Sequence, residues 1–200
     1  MNYIAVDTSG KHLTLLVKKD GKIFEYFDPV CGVEHSVRVM PELEKLLLKA
    51  DMSVETADFF AACVGAGSFT GIRIGVSTVK ALAFAAEKPV LKITSFDTLA
   101  YNTDSDKVLA IIDAGHNGFY ACAYEFGKAR PAKFIMKEEL ALYDGYTFVS
   151  GEEIKGLKTE IVSVKDGFIK AIEEKTSEIS ADINSLTPLY VRKSQAEENR

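Results

Sequence analysis

Two aspartates in matching positions are the residues best placed to do chemistry. Asp7 ends the apolar run IAVD and is followed by Thr8 and Ser9, while Asp113 ends the run AIID and is followed by Ala114. An aspartate at a strand end, beside backbone N–H donors, can hold a metal–phosphate group. Two of them facing each other across a cleft would form a nucleotide site, with ATP or ADP as the candidate ligand. The alternative is that each aspartate caps its own turn.

A glycine-rich segment, GAGSFTGIRIG at Gly65–Gly75, is the most distinctive part of the chain. It follows a predicted strand and begins a predicted helix that Ser68 or Thr70 could cap. Free N–H groups at such a helix start can bind an anion. A P-loop would need a lysine after the glycines, and a dinucleotide fingerprint would need glycine in place of Thr70. These mismatches favour a tight strand-to-helix turn over an anion site.

Metal ligands and nucleophiles do not form a recognisable pattern. The three histidines and three cysteines have none of the spacings typical of zinc sites or disulfide frameworks. Ser68 does not lie in the Gly-x-Ser-x-Gly motif of a nucleophile elbow. The sequence therefore predicts no metal site and no catalytic residue.

Composition and charge narrow the choice of partners. The chain has 200 residues, of which 47% are hydrophobic and 26% charged, and this is typical of one globular unit or two small lobes. Its formal net charge of −5 makes unaided binding to a phosphate backbone unfavourable, so tRNA is expected to bind only through a complex. The longest near-apolar stretch, Val76–Ala86, is interrupted by polar residues and looks too short to span a membrane. A cytoplasmic protein without membrane contact is expected.

The two halves of the chain share an internal repeat. Asp7 and Asp113 lie 106 positions apart, and each is followed by a β-rich run, a Gly-Lys turn and a third apolar run. The sequence therefore predicts two lobes, residues 1–103 and residues 104–200. In the first lobe the predicted element order is βββαβαβ, which indicates an α/β protein with a mixed sheet and helices on its faces.

The two predicted helices of the first lobe, Glu34–Lys49 and Thr70–Glu87, carry more apolar residues than a core alone requires. The second has Lys80 as its only charge between Ile74 and Ala86, so it almost lacks the polar face of a surface helix. Either the sheet and the first helix cover it, or a partner subunit does. We expect these helices to form a docking face that includes Val76 and Val79 on one stripe, with Val37 and Met40 on the first helix.

Several segments together resemble the bacterial TsaB (YeaZ) family. They are IAVDTS at residues 4–9, HS at 35–36, the Gly65–Gly75 block, KALA at 80–83 and PLYVR at 188–192. The resemblance implies an actin-like ATPase (ASKHA, ribonuclease H-like) fold, with two lobes of mixed sheets flanked by helices. The motif and partner-binding residues that we predict are Gly65, Gly67, Ser68, Phe69, Thr70, Gly71, Arg73, Val76, Val79, Lys80, Val37 and Met40.

The resemblance also implies a function. Family members act in the transfer of a threonylcarbamoyl group to the adenosine beside the anticodon of tRNAs that read ANN codons. They bind the catalytic TsaD paralogue and a TsaE-type ATPase, and a second copy of the chain is a further candidate partner. The catalytic paralogue has a metal-binding His-x-x-x-His pair where this chain has Ser95 and Leu99. A non-catalytic partner subunit is therefore expected. The alternatives are a stand-alone metallopeptidase (glycoprotease-like) or ATP-dependent carbamoyltransferase of the same fold, or a small-metabolite kinase.

Overall fold

The computed structural model of this chain describes residues 1–192. It has two compact units: Met1–Thr94 together with Ile172–Leu189, and Ser95–Ala171 together with the chain from Tyr190 onward. Both units contain mixed sheets with helices, so the predicted α/β class is confirmed. The predicted boundary between residues 103 and 104 stays a prediction, and the last eight residues of the predicted second lobe lie outside the described residues.

A five-stranded sheet with the order β3-β2-β1-β4-β5 forms the centre of the first unit. Its strands are β1 (Tyr3–Asp7), β2 (Leu13–Lys19), β3 (Lys22–Asp28), β4 (Phe59–Cys63) and β5 (Val90–Ile93). The first three strands pair antiparallel, and β4 then pairs parallel to both β1 and β5. Because parallel neighbours share their direction, the carboxyl ends of β1 and β4 lie at the same edge of the sheet. The residues that follow them, Thr8–Gly10 and Val64–Ser68, are therefore brought together.

Two helices pack against the first sheet. Helix α1 spans His35–Ala50 and helix α2 spans Phe69–Ala86, and both contribute buried residues to one core with the side chains of Ile4 and Val6. Ser68 caps α2 as predicted, because its hydroxyl oxygen accepts a hydrogen bond from the Gly71 N–H at 3.2 Å. The predicted order βββαβαβ is thus confirmed for this unit.

The second unit begins with the same antiparallel pattern as the first. Its strands are β6 (Lys107–Asp113), β7 (Gly118–Glu125), β8 (Lys128–Ala129), β9 (Lys133–Met136), β10 (Thr147–Ser150) and β11 (Glu160–Ile161). Their order is β11-β10-β6-β7-β8, and β9 also pairs with β7. Two further helices are α3 (Ser95–Ala100) and α4 (Val164–Glu174). The sequence prediction missed α3, because six residues are too few to show helical periodicity.

Helix α2 buries the stripe that was predicted to bind a partner. Val76 is 4% exposed and Val79 is fully buried, so these two valines belong to the core rather than to the surface. Residues three or four positions apart lie on the same face of a helix. The face of α2 that packs against the sheet carries Val76, Val79 and Ala83. The opposite, exposed face presents Arg73, Ser77, Ala81, Phe84 and Ala85.

The same helix is longer than the apolar stretch that the sequence analysis considered for a membrane span. Among the described residues, α2 is one helix of sufficient length and apolar character to cross a bilayer, judged by length and composition alone. Its buried stripe packs on the β-sheet, as in the core helix of a globular protein.

The burial of Val79 predicts a large effect of a charge at that position. Val79→Glu places a carboxylate in the core without a partner, so we expect the free energy of unfolding to fall by about 4 kcal/mol. The matched control is Ala81→Glu, which lies on the exposed face of the same helix and should change stability by less than about 0.5 kcal/mol. Urea unfolding followed by circular dichroism measures both. Equal stabilities of the two variants would contradict this assignment of the helix faces.

Candidate functional site

Asp7 lies at the end of β1 and is almost completely buried, with 1% of its surface exposed. One carboxylate oxygen, Oδ1, accepts a hydrogen bond from the Ser9 N–H at 2.8 Å, so the aspartate caps its own turn. The other oxygen, Oδ2, lies 3.1 Å from Nε2 of His12 in the turn between β1 and β2. Burial raises the pKa of the Asp7 carboxyl, but a protonated His12 and the hydrogen bonds from His12 and Ser9 together lower it to below its ordinary value.

The sequence did not indicate the pairing of Asp7 with His12. His12 was interpreted as one of three scattered histidines, none of which had a ligand spacing. Its position five residues after Asp7, across a predicted strand-to-strand turn, was the available signal. The backbone carbonyl of His12 also accepts a hydrogen bond at 2.7 Å from Nε2 of His35, the first residue of α1. The turn is thus tied to both the strand end and the helix.

The glycine-rich loop lies directly against the turn after β1. The Ser68 N–H donates to the Ser9 carbonyl oxygen at 2.6 Å, and the Thr8 hydroxyl donates to the Gly71 carbonyl oxygen at 2.7 Å. The Cys63 thiol lies 3.4 Å from the Ser9 hydroxyl oxygen. The Ser68 N–H, the Thr8 hydroxyl and the Ser9 hydroxyl therefore all have partners within the protein. This geometry fits the tight strand-to-helix turn that the sequence favoured.

Glycine is required at two positions of this loop by the close approach of the backbones. A Cβ atom on Gly67 would lie 2.2 Å from the Ser9 carbonyl oxygen, and one on Gly71 would lie 2.1 Å from the Thr8 carbonyl oxygen. No side chain fits at such distances. The two glycines are therefore explained by a backbone contact, without a ligand site.

The remaining residues of the motif are displayed on the surface. Phe69, Thr70 and Arg73 are exposed at the start of α2, and Lys80 is half-buried further along the helix. The guanidinium carbon of Arg73 lies 3.8 Å from the centre of the Phe69 ring, which is a close cation–π contact. The glycine-rich loop therefore leads into a helix start at which Phe69 and Arg73 contact each other on the surface.

Asp113, at the end of β6 in the second unit, repeats part of the Asp7 geometry. Its Oδ1 accepts a hydrogen bond from the Gly115 N–H at 2.8 Å, and the Ala114 N–H donates to the Gly118 carbonyl oxygen at 3.0 Å. Asp113 is exposed, whereas Asp7 is buried. Each aspartate thus caps its own turn. A nucleotide-binding cleft that uses both of them stays a prediction.

The positions aligned with the metal-binding histidines of the catalytic paralogue lie on α3. Leu99 is 2% exposed and belongs to the buried apolar residues, so it supplies packing and no donor atom. Ser95 is half-buried at the start of the same helix. Within residues 1–192, no group of three or more histidine, cysteine, aspartate or glutamate side chains is arranged to hold a metal ion.

Helices α1 and α2 both expose apolar side chains. Val37 and Met40 on α1 are 68% and 50% exposed, and Phe84 on α2 is 73% exposed. Between the helices runs a groove of about 310 Å³, lined by Met40, Pro41, Leu43, Glu44, Leu47, Val54 and Leu82. The sequence identified Val37 and Met40 but missed Phe84 and Leu82. We call this surface the α1–α2 face.

Comparison with known proteins agrees with this geometry. The family described as "TsaD: tRNA N6-adenosine threonylcarbamoyltransferase" matches residues 29–144, which is more than half of the chain. The tRNA threonylcarbamoyladenosine biosynthesis protein TsaB of Bacillus subtilis is 28% identical over 98% of this chain and 96% of its own length. TsaB of Escherichia coli is 30% identical over 62% of this chain and 55% of its own length. The solved structure of YeaZ from Pseudomonas aeruginosa superposes with a TM-score of 0.77 at 22% identity, covering 94% of this chain and 99% of that one.

The two mixed sheets with flanking helices, together with the structural neighbours and the family match, define a protein of the actin-like ATPase (ASKHA) class, as predicted. Within that class, the chain belongs to the TsaD-type family and, inside it, to the TsaB (YeaZ) group. The resemblance that the sequence motifs indicated is thereby confirmed.

The buried Asp7–His12 pair predicts a pH-dependent contribution to stability. Asp7→Asn removes a charge-assisted hydrogen bond, so we expect the free energy of unfolding at pH 7 to fall by about 2 kcal/mol. The folded-state pKa of Asp7 lies below the unfolded value of about 3.9, so this stabilisation exists above that pH and is lost as the pH falls through the folded-state pKa. Denaturant unfolding at a series of pH values should therefore show the two proteins converging below about pH 4. The exposed Asp20→Asn is the control, and a difference independent of pH would contradict the pairing.

The contact at Gly71 predicts an unusual response to alanine. In an ordinary helix, alanine is more stable than glycine by about 1 kcal/mol. Gly71→Ala should instead lower the free energy of unfolding by about 2 kcal/mol, because its Cβ would overlap the Thr8 carbonyl oxygen. As a control, Ala85→Gly on the exposed face of α2 should cost only the ordinary propensity difference of about 1 kcal/mol. Thermal and urea unfolding test both variants, and a stabilised Gly71→Ala protein would show that this backbone contact is absent.

Proposed function

We propose that this chain is a tRNA threonylcarbamoyladenosine biosynthesis protein that acts as the non-catalytic partner subunit of a TsaD-type transferase. In that complex it supports the transfer of a threonylcarbamoyl group to the adenosine beside the anticodon of tRNAs that read ANN codons. The observation that carries the proposal is the exposed α1–α2 face, which lies within the part of the chain matched to the transferase family. The pathway, tRNA threonylcarbamoyladenosine biosynthesis, is inferred from the names of the similar proteins.

A supporting rather than a catalytic role follows from the chemistry of two places in the chain. At the end of β1, the Thr8 hydroxyl and the Ser9 carbonyl oxygen hold the glycine-rich loop, which supports a structural role for these groups. On α3, the buried Leu99 replaces a metal-binding histidine that the resemblance implies for the catalytic paralogue. Both features support a fold that retains the architecture of an enzyme and uses it for assembly.

The α1–α2 face has the properties of a helix-packing interface. Val37, Met40 and Phe84 each expose a large apolar side chain. Exposed apolar surface often marks an interaction site when it is extensive. The small residues Ser77, Ala81 and Ala85 follow one another at intervals of four on the exposed side of α2. Small residues at this spacing let a second helix approach closely.

A TsaD-type subunit is the occupant that fits this face. The family match at residues 29–144 includes both α1 and α2, so a transferase of the same family has counterparts of these two helices. Related surfaces can pair about an approximate two-fold axis, in which each helix pair packs on its counterpart. A second copy of this chain would meet the same geometric conditions, so homodimerisation competes with the heterodimer. A TsaE-type ATPase is the third protein of the complex. The tRNA binds to the complex rather than to this chain alone, and the complex works in the cytoplasm.

Reconstitution tests the function. The purified chain, supplied with ATP, threonylcarbamoyl-adenylate and tRNA, should form no modified adenosine, and addition of the TsaD-type and TsaE-type subunits from the same organism should allow its formation. Omission of this chain from the full mixture should abolish or strongly reduce the yield. Product formation by the isolated chain would overturn the assignment as a non-catalytic subunit, whereas an equal yield without it would overturn the supporting role.

Ala81→Glu tests the docking face. The variant should fold normally, as argued above, but it places a charge at the centre of the proposed helix contact, where desolvation opposes binding. We expect the dissociation constant for the TsaD-type subunit to rise by more than about 100-fold, measured by isothermal titration calorimetry. Ala181→Glu, an identical substitution at another exposed position of the first unit, is the matched control and should bind as the wild type does. Unchanged binding by the Ala81→Glu variant would move the interface elsewhere.

A further inference from the structure

The groove between α1 and α2 is lined by apolar residues with one exception, Glu44. This glutamate is exposed on α1, and the apolar residues that share the groove with it include Met40 on the same helix and Leu82 on α2. The volume of the groove, about 310 Å³, lies at the lower end of the range of about 300 to about 1,000 Å³ for ligand pockets. The groove thus has room for one long side chain, and it offers that side chain apolar contacts and one negative charge.

Glu44 forms no ion pair within residues 1–192. Ion pairs on a helix join residues three or four positions apart. For Glu44 these positions are all uncharged: Met40, Pro41, Leu47 and Leu48. The adjacent Lys45 pairs with Glu42 at 2.9 Å instead. On α2, Lys80 lies two positions before Leu82, so it leaves the helix about 200° away from the groove.

The unpaired carboxylate indicates the chemistry of the occupant. When a partner covers the α1–α2 face, Glu44 loses its water, and a desolvated charge without a counter-ion strongly opposes binding. A complementary cation on the partner removes this penalty and adds specificity. Arginine matches both properties of the groove, because its apolar stem packs on apolar residues and its guanidinium binds a carboxylate with two parallel hydrogen bonds. Arginine is also enriched at protein interfaces, from which lysine is depleted.

We propose that the groove between α1 and α2 receives an arginine side chain of the TsaD-type subunit, with its guanidinium on Glu44. The inference rests on the proposed function and deepens it, because it names the residue type that the partner inserts and the carboxylate that selects it. The apolar lining contributes contact area, whereas Glu44 discriminates between partners. A surface without a cation at the matching place would leave this carboxylate desolvated and unpaired. Glu44 is thus a specificity-determining residue of the interface.

The direction of the change in affinity when the charge is removed tests the proposal. Calorimetry measures binding of the TsaD-type subunit from the same organism to the wild-type chain, to Glu44→Gln and to Glu44→Leu. Both substitutions leave the arginine without its partner, so we expect the dissociation constant to rise by about 30-fold. An apolar occupant would give the opposite result, because loss of the carboxylate would then remove a desolvation penalty and tighten binding. Glu174→Gln, which removes another exposed carboxylate of the first unit, is the matched control and should bind as the wild type does.

A double-mutant cycle identifies the arginine. Each exposed arginine of the TsaD-type subunit is replaced by glutamine and tested against the wild-type chain and against Glu44→Gln. One of these replacements should weaken binding to the wild-type chain by about 10-fold or more and have little further effect on Glu44→Gln. Circular dichroism and urea unfolding of Glu44→Gln alone should match the wild type, because an exposed carboxylate without an ion pair contributes little to stability.

The outcomes separate this inference from the proposed function. If the wild-type chain binds the TsaD-type subunit and Glu44→Gln binds equally or more tightly, or if no arginine couples to Glu44, the arginine contact is overturned and the proposed function stands. If Glu44→Gln changes the self-association of this chain in sedimentation but not its binding to the subunit, a second copy fills the groove and the inference is also overturned. If the wild-type chain does not bind the subunit, both fall. Should Glu44→Gln fail to fold, Glu44→Asp decides, because its shorter carboxylate should weaken binding by several-fold.

Discussion

The backbone contact between the turn after β1 and the glycine-rich loop determines the position of helix α2 in the first unit. Gly67 and Gly71 approach the Ser9 and Thr8 carbonyl oxygens so closely that no side chain could be accommodated. Because this contact joins the end of β1 to the start of α2, it fixes where the helix begins and which of its faces meets the sheet. The buried stripe of Val79 and the outward display of Arg73 are two consequences of this one constraint.

The same contact engages several polar groups at the end of β1 within the protein. In an actin-like fold the strand-end aspartate and the hydroxyl residues after it lie where a nucleotide phosphate could bind. In this chain, His12 is bound to Asp7, and the glycine-rich loop is bound to Thr8 and Ser9. Polar groups that are satisfied internally gain little from a ligand, because binding would have to break one hydrogen bond for each that it makes. The fold is kept, while the surface that remains available is helical and apolar.

Helix α2 shows how one element can satisfy two requirements. Its inner face packs against the sheet, and its outer face carries small residues, the exposed Phe84 and two cations. An apolar helix is usually explained by burial on all sides or by a membrane. Here part of the apolar character belongs to the core, where Ile72, Val76, Val79 and Ala83 are buried, and the rest faces outward. The proposed partner interface would account for that outward part.

The sequence by itself determined the α/β class, the order βββαβαβ, the cap at Ser68 and the family, because these depend on local periodicity, capping chemistry and contiguous motifs. The short helix α3 escaped because six residues carry no periodic signal. Only the tertiary structure decided that Val76 and Val79 face inward. On a helix that is apolar on nearly every side, periodicity cannot choose a face, and the choice was made by β1 and β4, which lie elsewhere in the sequence. The pairing of Asp7 with His12 likewise depends on how the turn folds back on the strand end, which the five-residue spacing permits but does not determine.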